Sequence, residues 1–352
     1  MTERPIYGAI LAAGYGSRMK PLTDALPKPL LPFLNTPIIA YTTDHLVRAG
    51  VRTAGVNLHH LGELIPPVLK QLETTWALQG TPLTLTPVPE DEVRGTAGGV
   101  AGIWAALGAP TDGTLVVLNG DPVMNIDLAQ EVARHRASGA EATMIVRPVL
   151  AGHPGGVEVN GAGDVCRLRD VHLEDGVERE FMGVHILEPS ALERVAQAAQ
   201  RATTTCMVGD VYIPMLRQGV RVRAALVDDF WVALDNPGLL LDATRAVLEQ
   251  PELFHQAPLG EGLGGRRLWI STPDAVDGQT QLAAPVFLGL YASARRGARI
   301  GPGVVADATE FGPEARAKNA VMFGMGRVDG VWEDCVAIHG KIAQVTGRSQ
   351  AR

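Results

Sequence analysis

The chain has 352 residues, 46% hydrophobic and 20% charged, enough to bury a large core and form two domains. Its formal net charge of −7 argues against a nucleic-acid partner, which needs a broad basic surface. Cys166, Cys206 and Cys335 lie far apart without metal-ligand spacing, which suits reduced thiols and a cytoplasmic location better than a disulfide framework. The apolar run at 6–13 is too short for a membrane span and lacks the charge pattern of a signal peptide, so no membrane partner is expected.

In chain order, residues 6–13 read as a strand and 37–49 as a helix, with proline in its first turn and Gly50 as its stop. A strand at 53–58, a helix at 62–73, a strand at 82–88 and a helix at 96–107 follow. The short apolar strand LVVL at 115–118 ends in NGD. This alternation predicts a Rossmann-like, mostly parallel α/β sheet covered by helices, with its site beyond the carboxyl ends of the strands. After Glu141 the strands shorten (GGVEVN, DVCRLRDV, FMGVHIL), and helices are expected over 190–199 and 235–248.

The proline- and glycine-rich segment at 251–267 reads as a linker, dividing a domain at 1–250 from a second at 268–345. In the second, Leu288-Gly289, Ile300-Gly301, Phe311-Gly312 and Phe323-Gly324 recur at spacings of 12, 11 and 12 residues. Spacings near multiples of six predict a β-solenoid with three flat faces per coil and apolar side chains turned inward. Its flat faces and open ends make it the expected route to a homo-oligomer.

The stretch LAAGYGSRMKPLTDALPKPLLPF, 11–33, carries the first chemical signal. Gly14 and Gly16 allow close backbone approach to a phosphate, and Arg18 adds a planar cation. A dinucleotide-binding turn would run straight into a helix, which Pro21, Pro27, Pro29 and Pro32 forbid, and no P-loop pattern is present. A long, proline-stiffened loop holding Arg18 and Lys28 over a nucleotide fits instead.

Over nearly thirty residues this stretch resembles the signature of the sugar-1-phosphate nucleotidyltransferases, G-x-G-[ST]-R-[LM]-x-P-L-T followed by P-K-P-L. Downstream, VRGTAGGV (93–100), VVLNGD (116–121), FMGVHIL (181–187) and DFWVALDNPGLLLDA (229–243) resemble that family's later segments. The resemblance implies a GT-A-like catalytic domain followed by a left-handed β-helix. It assigns nucleotide contacts to Leu11, Ala12, Ala13, Gly14, Gly16, Ser17, Glu90, Gly95, Thr96, Ala97 and Asn119, and sugar-phosphate contacts to Gly120, Arg169 and Gly183. Catalysis falls to Arg18, Lys28 and Asp121, with Mg²⁺ as cofactor on Asp121 and Asp235. The implied substrates are a nucleoside triphosphate and a sugar 1-phosphate. VNLHHLG (56–62) and TAGGV favour the mannose-1-phosphate guanylyltransferase-like branch with GTP, a uridylyltransferase being the alternative.

The implied reaction needs no general base, because the attacking sugar phosphate is already ionised. Bringing two polyanions together is the obstacle, so cations and positioning carry catalysis.

Two departures stand out. Where the family's W-x-D supplies a second metal ligand, this chain has Ala233; Asp235 either takes over that role or caps the following helix, and the cap is preferred. Asp121 has a capping alternative too, for the helix in PVMNIDLAQEV, and there metal binding is preferred. The lysine of the family's E-K-P segment is absent from VCRLRDVHLED, leaving Arg167 or Arg169 as substitutes unless strand alternation turns them to solvent. His59, His60, His172 and His185 read as packed or exposed residues rather than ligands. These losses keep a second reading open, a catalytically silent sugar-nucleotide-binding regulator. A solenoid acyltransferase is disfavoured, since His339 is the solenoid's one histidine.

Overall fold

Leu115, Val116, Val117 and Leu118 are all fully buried, so the strand Thr114–Asn119 is covered on both faces, as its unbroken apolar run requires. In the computed structural model, which describes residues 4–149 and 155–346, this strand lies inside a ten-stranded mixed sheet. Residues 1–3 of the amino-terminal stretch lie outside the described residues. Ile6–Leu11 runs parallel to Thr114–Asn119 on one side and to Thr53–Leu58 on the other, with Thr84–Pro89 parallel beyond. Past Thr114–Asn119 the sheet changes sense. Val177–Leu187 pairs antiparallel with it, and also with Ala142–Pro148 and Gly156–Val159. The expected α/β sheet is present, parallel through its amino-terminal strands and mixed as a whole.

Most expected elements are found with shifted ends. The strand at 53–58 is unchanged. The helix expected at 62–73 opens as a 3₁₀ turn, Gly62–Leu64, and continues as Ile65–Leu78, because Pro66 and Pro67 suit a first helical turn that needs no N–H. One cap differs from expectation. The helix Pro237–Glu249 is capped by Asn236, whose side chain accepts from the Leu239 N–H at 2.9 Å, and not by Asp235. The helix Leu128–Ser138 is capped by Asp127, which accepts from the Gln130 N–H at 3.0 Å, and not by Asp121. Both aspartates are thereby released from capping.

The chain forms two compact units that do not follow chain order. One comprises Met1–Tyr15, Ile39–Pro122 and Ile126–Trp231; the other comprises Gly16–Ile38, Val123–Asn125 and Val232–Arg352. The second unit therefore holds most of the glycine–proline loop together with the carboxyl-terminal sheet.

That sheet is a curled parallel array, a β-helix in architecture. On one face Leu268, Val286 and Val304 stack at 18-residue steps (268 to 286 to 304), three hexads per coil. Gln281 and Arg299 repeat the step on a second face, and Ser293, Glu310 and Arg327 stack on the third. Val286, Leu288, Ile300, Val304, Phe311 and Met322 fill the interior. Lys341–Gln344 closes the end by pairing antiparallel with Val331–Ile338. His339 sits at a corner with φ +48, its ring beside Gly324.

Within the same unit, the loop is seated on this solenoid. Its 3₁₀ turn Leu22–Asp24 packs on Val331–Ile338 and Lys341–Gln344, and Met19, Leu22 and Leu31 are wholly buried. Phe33 meets Phe254 edge-on at 5.6 Å, so the 251–267 segment also anchors the loop's far end. Burying such side chains compensates for the entropy of ordering a long irregular segment.

Phe311 lies between Ala294 and Val328 in register on the solenoid and has no exposed surface. We predict that Phe311→Ala costs about 3–5 kcal/mol of unfolding free energy, read by chemical denaturation of the full-length chain.

Candidate active site

The carboxyl ends of the parallel strands meet at a buried polar ladder in the first unit. The N–H of Ala12, just past the first strand, donates to Asn57 Oδ1 at 2.7 Å. Asn57 Nδ2 donates to Glu90 Oε1 at 2.9 Å, and Glu90 Oε2 accepts from the Arg94 N–H at 3.0 Å. Asn57 and Glu90 are both buried, so each of these bonds avoids a desolvation penalty. The ladder fixes the strand end at Ala12 and the start of the helix Gly95–Ala106 relative to each other. His59 adds a rung: Nδ1 donates to the Glu90 carbonyl at 2.8 Å, which leaves Nε2 to accept from the Tyr15 hydroxyl at 3.1 Å.

Three other expected residues gather at the same strand ends. The Gly120 N–H donates to the Leu11 carbonyl at 2.9 Å, holding the NGD turn beside the first strand and carrying Asp121 just past the strand Thr114–Asn119. Gly183 adopts φ +81 at an irregularity in the strand Val177–Leu187, and a Cβ there would lie 3.0 Å from Asn119 Nδ2. Only glycine fits that conformation and that approach. Behind it, Trp231 Nε1 donates to the Met182 carbonyl at 2.8 Å, and the Arg147 guanidinium lies 5.2 Å over the indole.

The helix start is less open to a ligand than its sequence suggests. The Ala97 N–H donates to the Thr205 carbonyl at 3.0 Å, and the Thr96 hydroxyl accepts from the Met207 N–H at 2.9 Å. Arg169 occupies a turn at φ +50, exposed, with Nη2 donating to Cys206 Sγ at 3.7 Å on that same segment. Arg167 is an exposed strand arginine paired with Glu158 at 2.5 Å. Gly14 is exposed, and a Cβ there would find nothing within 4 Å.

In the second unit, Gly16 turns the chain at φ +60, and its carbonyl accepts from the Met19 N–H at 2.8 Å and the Thr23 hydroxyl at 3.0 Å. The turn leaves Ser17 exposed and presents Arg18, while Lys28 opens the turn Lys28–Leu30. Arg18 Nη2 and Lys28 Nζ both bond Oδ1 of Asp235, at 2.9 and 2.8 Å. Sequence reasoning had these cations but not their shared partner.

The Nucleotidyl transferase profile matches residues 7–250, more than half of the chain. The chain belongs to the nucleotidyl transferase family. The expected sugar-1-phosphate nucleotidyltransferase is borne out at the level of family and enzyme class. A UTP–glucose-1-phosphate uridylyltransferase of Synechocystis is 26% identical over 91% of this chain and 88% of its own. A mannose-1-phosphate guanyltransferase of Schizosaccharomyces pombe is 28% identical over 74% and 70%. The catalytic subunit beta of the Xenopus tropicalis mannose-1-phosphate guanylyltransferase is 26% identical over 71% and 68%. Among the described residues of this nucleotidyltransferase, no helix is long and apolar enough to cross a membrane.

Asn57 is the site residue that sequence reasoning passed over. Its signal was a single amide inside the apolar strand TAGVNL, where a buried polar group must have partners.

His185, two residues beyond Gly183, is packed in the core as expected, with Nδ1 2.7 Å from the Tyr212 hydroxyl. Burial pushes its pKa down to about 3. At the far end of the same strand, burial would raise Glu188, but hydrogen bonds from His135, Arg4 and Thr114 outweigh it and hold the carboxyl at about 2. Both groups bind protons more readily when unfolded. Stability should therefore be full above about pH 6.5 and decline as pH falls, by about 1.4 kcal/mol per pH unit from His185 alone between its unfolded and folded values. Glu188 adds to the loss below its unfolded value near 4.5. Denaturant unfolding at a series of pH values should show this slope, and His185→Gln should remove the part above about pH 4.5.

Proposed function

We propose that the protein transfers a guanylyl group from GTP to mannose 1-phosphate, releasing pyrophosphate. The observation that supports it most is the convergence of Arg18 and Lys28 on one anionic oxygen, an arrangement suited to phosphate. Arg18 would neutralise the triphosphate and the leaving pyrophosphate, and Lys28 the α-phosphate or the sugar phosphate. The Asn57–Glu90 ladder would hold the base-reading backbone of Ala12–Gly14 and Gly95 in place. The choice of guanylyl rests on VNLHHLG and TAGGV and on the guanylyltransferases among the relatives. Uridylyl transfer to glucose 1-phosphate is the second reading, supported by a relative that aligns over 91% of this chain and 88% of its own.

Mg²⁺ fits the donor chemistry, since it is commonly held by one or two carboxylates with phosphate oxygens and water completing its shell. Among the described residues no group of three candidate ligands exists, so the phosphates would supply the rest. Asp121 is the residue that would hold it, and a bound Mg²⁺ would offset charge on the phosphates. Asp235 is a weaker donor, because two cations already occupy Oδ1. A cytoplasmic location accords with the free thiols of Cys166, Cys206 and Cys335. Self-association through the solenoid accords with exposed Leu290, Tyr291 and Val331.

The decisive assay is pyrophosphate release across four nucleoside triphosphates and several sugar 1-phosphates with Mg²⁺. GTP with mannose 1-phosphate should turn over fastest, and Asp121→Asn should lower that rate by roughly a hundredfold or more. Turnover of UTP with glucose 1-phosphate alone would install the second reading. Binding of a sugar nucleotide without turnover of any pair would make the protein a regulator, with Ala233 as the lesion.

A further inference from the structure

Asp235 stands two residues past Ala233, and its N–H closes a tight turn onto the Ala233 carbonyl at 2.8 Å. Its neighbour Asn236 caps the following helix, so the Asp235 carboxylate has no capping duty. Instead Oδ1 takes Arg18 Nη2 at 2.9 Å and Lys28 Nζ at 2.8 Å. All three residues belong to the solenoid-bearing unit. One oxygen flanked by an Arg and a Lys at these distances is what a phosphate oxygen would make with the same pair.

Building on the reading of this loop as a triphosphate site, we propose that Asp235 is a specificity-determining residue, an internal phosphate surrogate. It holds Arg18 and Lys28 converged, and it yields the position only to a polyphosphate. The Lys28 side chain is 12% exposed and that of Arg18 74%, so solvent screens the Lys28 bond less and the Arg18 bond opens first. Orthophosphate would exchange one anionic oxygen for another and gain little. A triphosphate brings further oxygens and further charge, so exchange favours it. Orthophosphate must displace Asp235 from both cations to gain two contacts, whereas a polyphosphate can take the exposed Arg18 alone and place its other phosphates elsewhere, so Asp235 penalises orthophosphate more than the longer anions.

The test is calorimetric titration of the full-length protein in EDTA with orthophosphate, pyrophosphate and tripolyphosphate. Asp235→Asn keeps the shape and removes the charge; Asp235→Ser repeats the test if the amide variant is poorly folded by its melting curve. Wild type should prefer tripolyphosphate strongly over orthophosphate. Either variant should bind tripolyphosphate roughly three- to tenfold tighter and orthophosphate by a larger factor, narrowing the ratio. Unchanged or weakened metal-free affinities would overturn the proposal, as would a loss confined to titrations containing Mg²⁺, which would make Asp235 a metal ligand. Absence of binding by all three anions to wild type and variants would overturn it too. If the wild type still turns over a nucleotide and a sugar 1-phosphate in the pyrophosphate assay, only the surrogate role is lost and the proposed function stands.

Discussion

Two cations held close together repel each other, and a loop that carries both will not keep them converged unless something anionic sits between them. In this protein Oδ1 of Asp235 meets that requirement, and the surrounding unit is arranged so that it can. Gly16 and the prolines give the loop its course, and Met19, Leu22 and Leu31 bury its inner side. The final strands of the solenoid provide the surface on which the Leu22–Asp24 turn rests. A curled sheet at the carboxyl end of the chain is therefore part of what positions Arg18 and Lys28. The packing gives it a direct structural connection to the loop, separate from any role in self-association.

The first unit meets a different constraint with neutral partners. Backbone groups at the ends of parallel strands point outward, and they offer fixed contacts only where partners hold them in place. The chain from Ala12 through Asn57 and Glu90 to Arg94 does so with hydrogen bonds that are buried and mutually satisfied. Such a ladder is rigid because each member would leave another unpaired if it moved. Elsewhere in the same unit, Gly183 and Trp231 shape the backbone beside Asn119 by sterics and one indole hydrogen bond rather than by charge.

Local pattern carried much of this fold into the sequence. The strand at 53–58, the buried run at 115–118 and the hexad spacing of the solenoid all follow from periodicity that neighbouring residues impose. The signature loop was legible through its prolines and glycines. Other features were not legible, because they depend on partners distant in sequence. Arg18 and Lys28, the partners of Asp235, lie more than two hundred residues earlier, whereas the cap falls to Asn236 because Pro237 sets the first helical position. The seating of the Leu22–Asp24 turn on strands more than three hundred residues later has no local signature at all. The engagement of Thr96 and Ala97 by 205–207 was hidden for the same reason.

On the surrogate proposal, the Asp235 position is a phosphate position. The most direct measurement is a crystal structure of the full-length protein with a bound nucleoside triphosphate, read at Arg18, Lys28 and Asp235. A phosphate oxygen should lie within hydrogen-bonding distance of Arg18 Nη2 or Lys28 Nζ, with the matching bond to Asp235 broken. A bound triphosphate with both ion pairs to Asp235 intact would contradict it.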